Sequence, residues 1–233
     1  MTRSLGEIES LAQKATRGAG MDWGIAEDAG KAVRWLSAAG WPGAEALAAL
    51  LQDTAATPWQ ARRPRTAQLP WQARGGWLCP LATGVALCDR AGDLAAGAPL
   101  RLGRTAWPLL LVPFIARAAS LAGASLHVGW AGVTILHAEG TTRAAILDPA
   151  ALAAASVDAV TVTTGTAADA AARAGRVVPL GARATLAEKT AQRLEAFARR
   201  LLAPETPARR HSGAGADAGR HDTDRASRSI TSP

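Results

Sequence analysis

Between Leu126 and Ala138 the chain reads LHVGWAGVTILHA. Leu126, Val128 and Trp130 alternate, Ala131-Gly132 interrupts, and Val133, Ile135 and Leu136 follow. Two strands joined by a two-residue turn must be antiparallel neighbours, because a parallel pair needs a crossover of roughly a dozen residues. The same stretch fixes a register. With a two-residue turn, Trp130 pairs with Val133, Leu126 with His137 and His127 with Leu136. The two imidazoles then lie on opposite faces and cannot share a metal. A three-residue loop would bring them to one face, still without a third ligand nearby, so no metal site is expected.

Helical signals dominate the N-terminus. SLGE at Ser4–Glu7 is a capping box, and Leu5, Ile8, Leu11, Ala12 and Ala15 follow at helical spacing up to about Gly18. A second helix is predicted from an N-cap at Asp22 to Ala38, and a third over PGAEALAALLQ with Pro42 near its first turn. Residues 1–53 thus form a three-helix unit. Residues 54–76 turn to prolines and arginines, with PWQAR at Pro58–Arg62 and again at Pro70–Arg74. They read as a surface loop whose tryptophans lie on the core.

GGWLCPLATGVALCDRAG, broken by Pro80 and Gly84, reads as two brief strands. WPLLLVPFIARAASLAG reads as a buried helix carrying Leu111, Phe114, Ile115, Ala118 and Leu121 on one stripe. TTRAAILD and DAVTVTTG supply further strands, and ADAAARAG reads as either a short helix or a loop. TLAEKTAQRLEAFARRLL is a last helix with Leu186, Leu194, Phe197, Ala198 and Leu201 along one side. Helices, then hairpin-linked strands, then a helix predict an α+β fold with a mostly antiparallel sheet, in one domain over residues 1–204. Residues 205–233 lack periodicity and read as a disordered tail.

Net charge is +7, yet the basic residues are scattered and almost all arginine, Lys14, Lys31 and Lys189 being the lysines. Without a block of like charge, composition weighs against nucleic acid as a partner. Cys79 and Cys88 match neither a redox nor a zinc spacing and read as buried, reduced thiols. MTRSLGEIESLAQKATRG carries acidic residues where a signal peptide needs an apolar stretch. The run AWPLLLVPFIA falls short of the ~20 residues of a membrane span. A soluble, cytoplasmic protein is expected, with no membrane partner.

Catalytic motifs are missing: there is no G-x-S-x-G, Walker sequence or H-E-x-x-H. GAGMDWG and GAGADAG approach a dinucleotide fingerprint, but the first follows a helix and the second lies in the predicted tail, so no cofactor is expected. One surface stands out. On a helical wheel at ~100° per residue, Ile25, Ala29, Ala32, Val33 and Leu36 make an apolar stripe. Trp23, Glu27, Gly30 and Arg34 fall opposite, with Lys31 beside them. Either Trp23 folds back over the Gly18-Ala19-Gly20 turn and Gly30 admits a neighbour, or the face holds a small anion. In the second case Arg17, Asp22, Trp23, Glu27, Lys31 and Arg34 form the candidate ligand-binding set.

SLGEIESLAQKATRGAGMDWGIAEDAGKAVRWLSAAG closely resembles the opening of a bacterial family catalogued as a domain of unknown function. The likeness is carried by Ser4–Glu7, by the Lys14–Gly20 turn and by Trp23–Leu36. PLLLVPFIARAA and the GAGA at Gly213–Ala216 look similar too, although RHDTD stands where that family has an acidic-asparagine ending. The resemblance implies a soluble bacterial protein with a family-defining N-terminal segment, and no activity, substrate or cofactor. Three functions stay open. The protein binds a small anionic metabolite, or assists an enzyme of small-molecule metabolism, through the face above. It is itself an enzyme, with Glu27 or Asp22 as acid/base and Arg34 or Lys31 anchoring a carboxylate. Or it is an interaction subunit whose partner protein covers Trp23, Trp41 or Trp59.

Overall fold

A computed structural model describes residues 2–54, 57–97, 99–164 and 175–201. The expectations for ADAAARAG and for the tail with its GAGA fall wholly or largely outside these residues. Strand β1 (Thr2–Ser4) leads into α1 (Leu5–Gly18), α2 (Trp23–Ala38) and α3 (Gly43–Asp53). The capping box forms: the Ser4 hydroxyl accepts from the Glu7 amide at 3.2 Å while Glu7 Oε2 accepts from the Ser4 amide at 2.7 Å. Helix α2 buries the predicted stripe, together with Gly30. A Cβ on Gly30 would come within 2.9 Å of the Glu9 carbonyl, so this glycine lets α1 lie close against α2.

Residues 57–79 make the expected tryptophan-bearing loop. Trp59 opens a single 3-10 turn (Trp59–Arg62), and both Trp59 and Trp71 are buried. Trp71 is pinned to the sheet side by its amide donating to the Arg101 carbonyl at 2.9 Å. Arg62 is buried as well, its guanidinium 3.5 Å from the Trp77 ring centroid and its Nη2 donating to the Asp53 carbonyl at 3.0 Å. Arginine and tryptophan here pack on one another and on the core.

The two brief strands expected next are replaced by helices, α4 (Pro80–Asp89) and α5 (Ala91–Ala95). Pro80 sits in the first turn, where the missing N–H costs nothing and its fixed φ suits the helix. Gly84 is tolerated because Phe114 fills the place a side chain would take. Pro80 is thus no breaker at this position, and packing against Phe114 accounts for Gly84.

Strands β2 (Leu100–Leu102) and β3 (Thr105–Ala106) precede a 3-10 turn (Pro108–Leu111) that runs into α6 (Val112–Ala122). Helix α6 buries Phe114, Ile115 and Ala118 of the predicted stripe, with Val112 beside them; Leu111 is buried in the preceding turn, whereas Leu121 is exposed. Full burial of each of the larger side chains contributes roughly 2 kcal/mol. Then come β4 (Leu126–Trp130), β5 (Val133–Ala138), β6 (Thr141–Ile146), β7 (Ser156–Val157), β8 (Val160–Thr164) and β9 (Arg176–Val177). Six of them form a sheet in the order β2-β8-β4-β5-β6-β9, every ladder antiparallel, and β3 pairs with β7. Trp130 faces Val133, Leu126 faces His137 and His127 faces Leu136, the register of a two-residue turn. Helix α6 lies on β4 and β5, and α2 and α4 pack against α6. The fold is α+β.

The chain closes on its own beginning. Strand β10 (Arg183–Thr185) pairs antiparallel with β1, and α7 (Glu188–Ala198) packs along α1. Arg3 reaches Glu195 at 3.3 Å across this seam. Gly18, at the end of α1, lies where any Cβ would strike the Phe197 carbonyl, whereas Gly20 takes the left-handed φ of +90° that turns the chain toward α2. Among the described residues, no helix is long and apolar enough to cross a membrane.

Candidate functional site

The six residues named from sequence separate into small groups. Arg17 donates to the Met21 carbonyl at 2.9 Å and lies 5.6 Å from the Trp23 ring centroid, so these two meet over the α1–α2 turn. The Trp23 indole is 63% exposed. Asp22 is the α2 N-cap but makes no side-chain capping bond. Glu27 and Lys31 form an exposed i,i+4 pair at 2.7 Å, and Arg34 turns to Glu9 on α1 at 2.8 Å. The hydrogen bond from Lys31 holds the Glu27 carboxyl below its ordinary range. That shift is opposite to what a general acid needs, and Glu27 and Asp22 both stand in solvent. Of the three tryptophans offered as a contact surface, Trp59 is buried, Trp41 is half-buried against Trp35, and Trp23 is exposed.

Concavity lies on the next flank of α2. A cleft of about 630 Å³ opens between Trp35, α6 and the turn joining β5 to β6. Its size falls within the ~300–1,000 Å³ of small-molecule sites. Polar groups reach it from three elements: Arg117 from α6, His137 and Thr142 from the paired strands, and Glu139 from the turn. A smaller hollow of about 180 Å³ is lined by Asp28 and Lys31, and it shares Trp35, Pro113 and Arg117 with the larger one. Of the predicted six, Lys31 alone reaches either hollow, and it lines the smaller one and not the larger.

Each wall has a local cause. Trp35 is held edge-on between Trp41, at 5.8 Å between centroids, and His137, at 6.0 Å. Arg117 is fixed by Asp28, Nη1 to Oδ1 at 2.9 Å, which also ties α6 to α2. His137 and Thr142 are cross-strand partners, and Thr142 Oγ1 lies 2.8 Å from His137 Nδ1. The imidazole is 4% exposed. Burial pushes its pKa down to about 4, with the Val112 carbonyl opposing, so the ring is neutral. The opposite-face placement of His127 and His137 follows from the register, and both are buried. Among the described residues, no three His, Cys, Asp or Glu side chains gather to hold a metal ion.

The thiols do not meet. Cys79 is fully buried and Cys88 half-buried, its Sγ donating to the Phe114 carbonyl at 3.4 Å. Burial raises both thiol pKa values, that of Cys88 to about 11. Native protein should therefore leave both unlabelled by a thiol-specific disulfide reagent at neutral pH, and unfolding in urea should release both. Rapid native labelling of Cys88 would contradict its placement under α6.

Sequence reasoning reached Lys31, but it missed Arg117, His137 with Thr142, and Glu139 as one constellation. The faint signals were an arginine inside the apolar run VPFIARAAS and a glutamate before glycine in a hairpin turn.

The molecule thus defines an α+β protein with a polar cleft between a helical layer and a hairpin. By sequence, residues 3–75 match the family described as "Protein of unknown function (DUF3726)". The likeness expected chiefly over residues 4–38 is therefore real and extends through α3 and the Trp-Arg loop. It includes Lys31 and Trp35, and stops before Arg117, His137 and Thr142. Neither a curated protein nor a solved structure matches the chain.

Proposed function

We propose that the protein binds a small anionic metabolite in the cleft between α2, α6 and the β5–β6 turn. Arg117 carries this reading. It lines both hollows, and beyond Nη1 its guanidinium makes no hydrogen bond among the described residues. A guanidinium fork held at one corner and open along the rest is suited to a carboxylate or phosphate. Lys31 adds positive charge, and Trp35 offers an apolar wall. The reading keeps the protein in the bacterial cytoplasm, where the free thiols of Cys79 and Cys88 stay reduced.

A panel of carboxylate and phosphate metabolites, screened by thermal shift, tests this. A ligand present at about a hundred times its Kd should stabilise the wild type by about 2.7 kcal/mol. Arg117→Ala should abolish the shift and Arg34→Ala should keep it. No shift in the wild type, or an equal shift in Arg117→Ala, overturns the reading. Loss in Arg34→Ala alone would move the site to the face of Arg17, Asp22, Trp23, Glu27 and Arg34. A second reading, a contact surface for a partner protein, is favoured by the exposed Trp23 indole with Arg17 over it.

A further inference from the structure

The cleft is more than a cationic hollow. Lys31 is answered by Glu27 and Arg117 by Asp28, while Glu139 makes no ion pair among the described residues. A site for a plain anion gains nothing from that third carboxylate, which would repel it. Glu139 also sits where the backbone resists it. Ala138 pairs with Thr141, leaving Glu139-Gly140 as a two-residue loop with φ of +49° and +73°. Such mirror-image turns favour Asn-Gly, because a longer side chain is strained at the first position.

Thr142 completes the picture. The buried His137 ring is neutral and has a single N–H. Thr142 Oγ1 lies 2.8 Å from its Nδ1 and lines the cleft, where the hydroxyl oxygen can accept a hydrogen bond. One side of the cleft therefore offers donors from Arg117, and another offers acceptors from Thr142 and Glu139.

Resting on the anion-binding reading above, we infer that the ligand is an amino-carboxylate, a small molecule with both a carboxylate and a protonated amine. Arg117 takes the carboxylate, Glu139 and the Thr142 oxygen take the ammonium, and Trp35 borders the side chain. His137 acts as a positioning residue that holds the Thr142 hydroxyl at the cleft wall.

Calorimetric titration of leucine, glutamate and tryptophan against their 2-oxo acid counterparts, which keep the carboxylate and lack the amine, tests the inference. At least one amino acid should bind the wild type about tenfold or more tighter than its 2-oxo acid. Glu139→Asn should erase that preference while raising the melting temperature, because it relieves the turn. Thr142→Val should weaken amino acid binding and leave the 2-oxo acid unchanged. If a 2-oxo acid binds as tightly as its amino acid and Arg117→Ala abolishes both, the amine assignment is overturned and anion binding stands. If no member of either series binds, both fall.

Discussion

Acidification through the window from 6.5 to about 4 should remove about 3 kcal/mol of folding stability through His137 alone. The sign follows from where the proton goes. In the unfolded chain the imidazole gains its proton as pH falls below 6.5, whereas burial in the folded chain delays this until about 4. Between those values the unfolded state binds more protons, so stability drops with each step down. Above the window the neutral ring is accommodated at no such cost, and below it the loss is complete. Urea unfolding at intervals across this range, on the wild type and on His137→Asn, isolates the contribution. The variant should be weaker at neutral pH, since Thr142 loses its imidazole partner, but its decline on acidification should be shallower by about one proton. Parallel declines would mean that His137 is hydrated in solution and that the cleft floor is not sealed as described.

Replacing Gly18 with alanine should cost about 3 kcal/mol, a large effect for one methyl group. The added Cβ would strike the main-chain carbonyl of Phe197, and backbone cannot rotate away as a flexible side-chain end can. Either α1 and α7 separate at that point or α7 shifts along its axis, and both expose core. Gly24 is the internal control. It is also helical, has nothing within 4 Å of a built Cβ, and should gain up to about 1 kcal/mol as alanine through helix propensity. Denaturant midpoints of the two variants should therefore move in opposite directions. A neutral Gly18→Ala would mean that the α1–α7 contact is looser than drawn.

These residues also show what could be read in advance. Gly18 was legible as the end of a helix, but the reason for glycine there is a partner that lies far along the chain. Gly20 supplies the left-handed turn, and local reasoning cannot divide those two duties. The hairpin register, the Ser4–Glu7 box and the α2 stripe were legible because each depends on neighbours in sequence. Helix α4 was not, since Pro80 marks a helix start as readily as a break, and Gly84 reads as a breaker until Phe114 fills the space beside it. Strands β1, β2, β3, β9 and β10, of two or three residues each, are too short to display a period.

The cleft was legible at one edge only. Gly30 drew attention to the outward face of α2, but its absent side chain serves the approach of α1. Lys31 and Trp35 point the other way, toward α6 and the hairpin. Arg117, His137 and Thr142 carry no shared motif, and only tertiary folding brings them beside Trp35.

The pairing of β1 with β10 has a consequence for how the molecule is made. Thr2–Ser4 leaves the ribosome about 180 residues ahead of its hydrogen-bonding mate, Arg183–Thr185. Until then the opening helix waits with one flank bare, and closure over so long a span is the slow kind of contact. A nascent or truncated chain lacking the last helix is an unclasped intermediate, in need of chaperone cover during that interval. Cutting after residue 75 would likewise yield a helical piece with its clasp missing.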